Sequence, residues 1–333
     1  MEGLKFNRQF APGVYLGLAR FITRNDIKRK VKCGRLIKKP RRYQLKDDRK
    51  YALIMNRLDD ATRLDHQLDG EKIGNVPGME FLAEAIAEMH KRLKRSPNDM
   101  GTPTSLSEKL HLNQQKFMEA LREVRKKTEF ATFKQRIGSK GLRKLTSIGK
   151  CLERIAETYR HIFEHRYEAK KIRRCHGDLK ATNLWLSRVA DSTQDQLLFL
   201  DCVDFNPKFC HIDTLSDVAM VAVDLEMYLT HPSDSSKSQS DSEKIVQHFL
   251  YTYLQAANES EAVWPLLEYY MAEKAMVCAY TCILFDKQQS FGAQYLDVVL
   301  THWKNLQYYL PPQNETRQAQ HPALTHSGTT RRS

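Results

Sequence analysis

Asp178 and Asn183 stand five residues apart in the run Cys-His-Gly-Asp-Leu-Lys-Ala-Thr-Asn-Leu-Trp-Leu, residues 175–186. A third polar residue, Asp201, ends the apolar run Leu197-Leu198-Phe199-Leu200, 18 residues beyond Asn183. An acid with an amide and a carboxylate close by is the set that phosphoryl transfer uses, one group beside the acceptor hydroxyl and two on magnesium. Mg²⁺ is a hard ion that takes oxygen ligands, and phosphates and water complete its octahedron. The base must sit beside that metal without coordinating it, which a short loop between strands achieves. Asp178 is therefore the candidate base, and Asn183 and Asp201 are the candidate metal ligands. Gly177 and Asp178 turn the chain away from His176, which reads as a brace of the loop.

These residues need elements to hold them. Residues 13–23 and 51–58 have strand composition, with turn-rich material between them. Phe81, Leu82, Ile86, Met89 and Leu93 recur near helical spacing and predict a helix over 79–94. Pro97 to Thr104 reads as a linker, after which Ser105 and Glu108 offer a capping box for a second helix. Leu142, Leu145, Ile148, Leu152, Ile155, Tyr159 and Ile162 predict one long helix from about 140 to 169, leading into the loop of Asp178. Another helix starts at Thr214. Pro232 to Ser242 is serine-rich and reads as a surface loop, residues 244–308 return to helix, and 311–333 read as a disordered tail.

The residues of the loop resemble the aminoglycoside phosphotransferase-like branch of the protein-kinase-like superfamily. Its catalytic loop reads His-Gly-Asp with an Asn five residues after the Asp, where protein kinases carry His-Arg-Asp. Leu200-Asp201-Cys202-Val203-Asp204-Phe205-Asn206, with Ile212-Asp213, Ser216-Asp217 and Val223-Asp224-Leu225-Glu226, resembles one bacterial subgroup in particular. There the kinase-like domain is often fused to a P-loop ATP-binding domain. Phe6-Asn7-Arg8-Gln9-Phe10-Ala11-Pro12 and Val14-Tyr15-Leu16-Gly17 resemble the same subgroup just after its first long helix. The resemblance spans most of 5–290 and is most specific over 175–226.

It implies an α+β, protein-kinase-like fold. Residues 1–60 would form a partial N-lobe sheet and hinge, 61–310 a helical C-lobe with the catalytic and metal loops, and 311–333 the tail. It further implies ATP and Mg²⁺ as cofactors. Met55 and Asn56 would lie at the adenine, and Lys180 would touch the γ-phosphate as a catalytic and nucleotide contact. His176, Asp213 and Asp217 would support the site, with Asp224 bracing it. Asp204 would satisfy a turn or assist the metal.

The chain also departs from that pattern. No G-x-G-x-x-G occurs in residues 1–90, and no P-loop motif occurs anywhere. On this reading the glycine-rich strands and the ATP-binding lysine would lie upstream of Met1, leaving a truncated N-lobe. Lys38-Lys39-Pro40 falls after the Asn-Arg-x-x-Ala-Pro stretch and reads as a basic loop between strands. Lys180 stands where the relatives more often carry His and Ser/Thr protein kinases carry Lys, so a protein acceptor stays open beside a small molecule. The leading expectation is transfer of the ATP γ-phosphate to a hydroxyl of a small molecule. The alternative is a catalytically impaired pseudokinase, or a truncated gene product acting as a binding module.

Composition narrows the remaining classes. Of the net charge of +13, residues 1–50 carry +12. That block is a remote argument for nucleic-acid binding, but no RNA- or DNA-binding motif accompanies it, and nucleic acid is disfavoured. The same charge could roof the nucleotide phosphates. Seven cysteines without a C-x-x-C, and no secretion signal, point to reduced thiols and the cytoplasm. The most apolar run, Val218 to Leu229, is interrupted by Asp224 and Glu226 and is too short to span a bilayer. His161 and His165 match an H-x-x-E-H zinc pattern, yet nothing near them in sequence nominates a third ligand. Glu259, Glu261, Glu268, Glu273 and Asp286, against Lys274, leave an amine-bearing acceptor open.

Overall fold

The computed structural model describes residues 2–23, 31–40, 50–68, 78–126, 130–188, 195–230, 239–286 and 289–310. The described chain is mostly helical, with a few short strands. A first helix, α1 (Glu2–Phe10), leads into an antiparallel sheet of β1 (Tyr15–Thr23), β2 (Val31–Ile37) and β3 (Tyr51–Met55). The strand order is β2-β1-β3, and Leu18 of β1 pairs with Ile37 on one side and Leu53 on the other. Strand β2 lies where turn-rich material is expected from the sequence. Its basic residues Lys32 and Arg35 interrupt the apolar positions, so the short alternation of a strand is hidden by charge. The second strand ends at Met55, three residues before the expected limit.

Helices α2 (Leu64–Leu68), α3 (Met79–Arg92), α4 (Pro103–Lys126), α5 (Ala131–Thr158) and α6 (Arg160–Glu168) follow. Helix α4 starts two residues before the expected capping box. The Thr102 hydroxyl accepts the Ser105 N–H at 3.1 Å, and Pro103 occupies the first helical position, where its missing N–H costs nothing. The single long helix expected over 140–169 is two helices broken at Tyr159 (φ −104°, ψ 29°), and α5 is itself kinked at Gly138. The break turns α6, so Ile162 is exposed while Phe163 and Arg166 are buried.

Four strands and a short helix frame the loop of Asp178. Strand β4 (Ile172–Arg174) precedes the loop, and β5 (Leu184–Arg188) and β6 (Asp195–Phe199) form a hairpin after it. Then come α7 (Pro207–Cys210) and β7 (His211–Asp213), the latter antiparallel to β4. Four longer helices complete the chain: α8 (Thr214–Thr230), α9 (Gln239–Ala256), α10 (Trp264–Thr281) and α11 (Gln289–Tyr309). Helix α9 begins inside the serine-rich stretch expected as loop, and the Ser242 hydroxyl, buried, donates to Leu229 O at 2.8 Å. The tail over 311–333 and, of the basic block, residues 24–30 and 41–49 lie outside the described residues.

Helices α8 and α10 are buried on nearly every face, which explains why neither reads as amphipathic. They are the centre of one large apolar core to which α3, α4, α5, α9 and α11 contribute. A second, small cluster joins Leu4, Ala11, Val14 and Tyr15 to Leu198 and Leu200. That cluster attaches α1 and β1 to the end of β6, one residue short of Asp201. No described helix is long and apolar enough to cross a membrane.

Candidate active site

The loop over 175–183 is gripped from one face of α8. Asp217 and Asp224 are seven residues apart, two helical turns, so both carboxylates point the same way. Asp217 accepts the N–H of His176 at 3.0 Å and that of Gly177 at 2.9 Å. Asp224 accepts the Ala181 N–H at 2.7 Å and the Tyr295 hydroxyl at 2.7 Å. Both ends of the loop are thereby fixed to a helix that cannot move without opening the core.

The pKa values of the two carboxylates are shifted in opposite directions. Burial works against the ionised form of Asp217, but the His90 bond, the nearby imidazoles and the loop N–H groups outweigh it and hold its pKa below the usual range. Burial dominates at Asp224 and pushes it up to about 6, against the Tyr295 and Ala181 bonds and the Lys180 charge. His90 links the grip to distant helices: its Nε2 lies 3.2 Å from Asp217 and its Nδ1 2.8 Å from the Tyr253 hydroxyl.

His176 is buried within the loop. Its Nε2–H donates to Leu200 O at 2.8 Å, and its Nδ1 faces the Asp178 N–H at 3.4 Å. A carbonyl can only accept, so the ring is the neutral Nε2–H tautomer. Burial lowers its pKa, in keeping with that form. Gly177 has φ +85°, and a Cβ there would stand 2.5 Å from Phe209 O, so only glycine fits this turn.

Asp178, Lys180 and Asn183 come together on the open side of the loop. Asn183 Nδ2 donates to Asp178 O at 2.9 Å and to Asp178 Oδ2 at 3.2 Å. Lys180 Nζ lies 3.1 Å from Asp178 Oδ1. Burial opposes the lysine's charge, but Asp178 and other nearby groups raise its pKa above the ordinary value, so it is cationic at any working pH. The Asn183 amide nitrogen is thus occupied, while its Oδ1 has no partner among the described residues.

Asp201 lies beside them. The β5–β6 ladder pairs Leu184 with Phe199, and Leu200 N–H donates to Asn183 O at 2.8 Å, which sets Asp201 one position past Asn183. Its side chain is exposed, has no partner among the described residues, and its backbone adopts φ +59°. Two free oxygen ligands on adjacent positions suit a hard divalent cation.

The remaining expected site residues are placed elsewhere. Met55, half-exposed, ends β3, and Asn56 donates from Nδ2 to Gly13 O at 3.0 Å. Asp213 faces α6 and not the loop: Arg166 binds it bidentately at 2.8 and 2.6 Å, and Asp213 also caps Leu215 N–H at 3.0 Å. Asp204 lies against Gly3 at the first turn of α1.

Most of the acids considered for an amine are occupied. Glu259 pairs with Arg166 at 2.7 Å and Lys171 at 2.9 Å, Glu268 with His302 at 2.7 Å, and Glu273 with Asn113 at 2.7 Å. Amine recognition, if the acceptor has one, does not come from these three.

Two metal alternatives were weighed against the geometry. His90, Cys175 and Asp217 bring ligand-type atoms within 4.8 Å of one another, but His90 and Asp217 bind each other and the loop, and burial pushes the Cys175 thiol up. His161 and His165 are exposed on α6, with no third ligand beside them among the described residues.

Some contributors carry no local signal in the sequence. The Tyr15 hydroxyl and Asn7 Oδ1 accept the backbone N–H groups of Asp201 and Cys202 from 186 and 195 residues away. Phe10 meets the His176 ring edge-on at 5.3 Å. Asn7 and Tyr15 belong to the stretch that resembles the bacterial subgroup, yet nothing in their spacing assigns them a role.

The molecule is therefore a mainly helical protein with a polar loop on which a carboxylate, an amide and an ammonium meet, and a second carboxylate, Asp201, two residues past the strand β6 that follows it. No protein-family profile and no curated protein matches the chain. Among solved structures, an ethanolamine kinase from Plasmodium vivax is similar at 14% identity and a TM-score of 0.42, covering 75% of this chain. The chain spans 64% of that protein.

Proposed function

We propose that the chain is a kinase-like phosphotransferase that moves the γ-phosphate of ATP to a hydroxyl of a small molecule. The observation that carries this reading is the meeting of Asp178, Lys180 and Asn183 on one loop, with Asp201 just past the residue that bonds Asn183 O and its carboxylate and Asn183 Oδ1 left without a partner among the described residues. In this reading residues 1–60 are the nucleotide-side sheet and hinge, with Met55 and Asn56 at the adenine, and the helical body over 61–310 carries the chemistry.

Asp178 accepts the proton of the attacking hydroxyl through its carboxylate. The Asn183 amide and the Lys180 ammonium hold that carboxylate and set its direction. Asn183 Oδ1 and Asp201 would hold Mg²⁺, which supplies charge neutralisation on the phosphates when bound. Lys180 is placed to turn from Asp178 to the transferred phosphoryl group. His176, neutral and bonded to Leu200 O, ties the base's loop to the metal strand and moves no proton. Asp217 and Asp224 keep the loop N–H groups satisfied, so the geometry stands ready before substrate arrives.

Incubation with γ-labelled ATP, Mg²⁺ and a panel of small alcohols with and without amines tests the proposal. Labelled phosphoester formed by the wild type and lost in Asp178→Ala supports it. Label released to no acceptor and not even to water, with ATP bound, favours the pseudokinase alternative. The carrier of that alternative is the sequence of residues 1–90, which holds no glycine-rich phosphate loop.

A further inference from the structure

Asp201 is held in the left-handed region at φ +59°. A non-glycine residue there is less stable than at negative φ, and no hydrogen bond from its own side chain to a described residue offsets this. The restraint comes from the first fifteen residues. The Tyr15 hydroxyl accepts the Asp201 N–H at 2.9 Å, and Asn7 Oδ1 accepts the Cys202 N–H at 3.2 Å. Asn7 Nδ2 donates to Gly3 O at 3.0 Å inside α1, which fixes which end of the amide faces the loop. Both side chains are buried, at 4% and 5% exposure, so these bonds are sheltered from water. The Tyr15 ring sits in the small apolar cluster with Leu198 and Leu200. The first turn of α1 also lies against the next part of the loop, with Gly3 beside the Asp204 side chain.

We infer that Asn7 and Tyr15 are positioning residues for the metal-binding carboxylate, holding the Asp201–Cys202 turn so that Asp201 faces Asn183. The inference rests on the proposed role of Asp201 as a magnesium ligand. Neither residue touches the ion. Each takes a backbone N–H of the one turn whose direction sets the carboxylate. Without the Tyr15 hydroxyl, the Asp201 N–H has no protein partner, and the turn relaxes toward the negative φ that the residue prefers. The carboxylate then swings away from Asn183. Loss of such outer partners costs roughly 10–100-fold in metal affinity. The N-terminal helix is thus part of the metal site, although it supplies no ligand.

The test is Mn²⁺ binding followed by electron paramagnetic resonance, with ATP present, for the full chain and three variants. Tyr15→Phe keeps the ring and is expected to weaken Mn²⁺ by about 10–100-fold with a thermal midpoint close to wild type. Asn7→Ala removes the partner of the Cys202 N–H and is expected to weaken Mn²⁺ as well. It serves as the second readout should Tyr15→Phe fold poorly. Asp201→Asn is the reference for loss of the ligand itself. Wild-type affinity in both Tyr15→Phe and Asn7→Ala, with Asp201→Asn impaired, overturns the positioning role alone. Equal Mn²⁺ binding by wild type and Asp201→Asn overturns the metal assignment and the inference with it.

Discussion

Asp217 and Asp224 sit on one face of the same helix and both hold the loop of Asp178, yet the same substitution should act on them with opposite sign. At Asp217 both oxygens accept backbone N–H groups, from His176 and Gly177. Asn at this position can offer one oxygen only, and its NH₂ group is forced against a second donor. The loss is one charge-assisted bond, about 1.5–3 kcal/mol, plus an unsatisfied buried donor, about 1–3 kcal/mol. A total near 3–5 kcal/mol is a large part of the roughly 5–15 kcal/mol that keeps a domain folded. At Asp224 the partners are the Ala181 N–H and the Tyr295 hydroxyl. A hydroxyl can reverse its role, so Asn satisfies both partners, accepting from Ala181 and donating to Tyr295. The substitution also removes a charge that burial disfavours. With a folded pKa of about 6 against roughly 3.9 unfolded, the ionised form costs on the order of 3 kcal/mol at pH 7, using about 1.4 kcal/mol for each unit. The sign follows from the raised pKa: the folded state holds the proton more tightly, so the wild type gains stability as pH falls from about 6 toward 4. Asp224→Asn removes that slope. The assay is equilibrium urea unfolding at pH 7 and pH 5, followed by far-ultraviolet circular dichroism and tryptophan fluorescence together. Expected are a lower midpoint for Asp217→Asn at both pH values, and for Asp224→Asn a midpoint at or above wild type at pH 7 with the advantage shrinking at pH 5. Equal destabilisation by the two substitutions would refute the reasoning.

Further outcomes follow from the same geometry. Asp178→Ala should lower turnover by about 10²–10⁴-fold, the usual worth of a positioned acid–base group, with the unfolding midpoint unchanged; a variant as active as wild type excludes Asp178 as the base. His302, buried between Glu226 at 2.6 Å and Glu268 at 2.7 Å, is opposed by burial yet raised to about 10 by the two carboxylates. Its contribution is therefore full below pH ~6.5, declines above it and is gone past about 10; the stability gap between wild type and His302→Gln, followed by urea unfolding across that range, should close accordingly. His161→Ala and His165→Ala should leave activity and metal content unchanged, which metal analysis of the purified variants checks.

The loop of Asp178 is legible because its chemistry needs particular residue types at short spacing, and the apolar strands around it repeat clearly. What escapes is set by distance or by competing signals. Tyr15 and Asn7 meet Asp201 and Cys202 only after the whole helical body has folded, so no window of sequence contains the contact. Strand β2 is masked by Lys32 and Arg35, and the break at Tyr159 lies inside an unbroken apolar period. The capping box at Ser105 loses to Thr102 because Pro103 is preorganised for the first turn. Glu259, Glu268 and Glu273 leave an amine-bearing acceptor open in the sequence, but each meets a buried partner from a distant helix.

The central claim is that Asn183 and Asp201 share one metal ion beside Asp178. Crystals of the chain grown with Mn²⁺ and a non-hydrolysable ATP analogue, measured for anomalous scattering at the manganese edge, test it most directly. The account predicts a single strong peak bonded to Asn183 Oδ1 and the Asp201 carboxylate, with Asp178 outside bonding distance. A peak among His90, Cys175 and Asp217, or between His161 and His165, or none at the loop with the analogue bound, would contradict it.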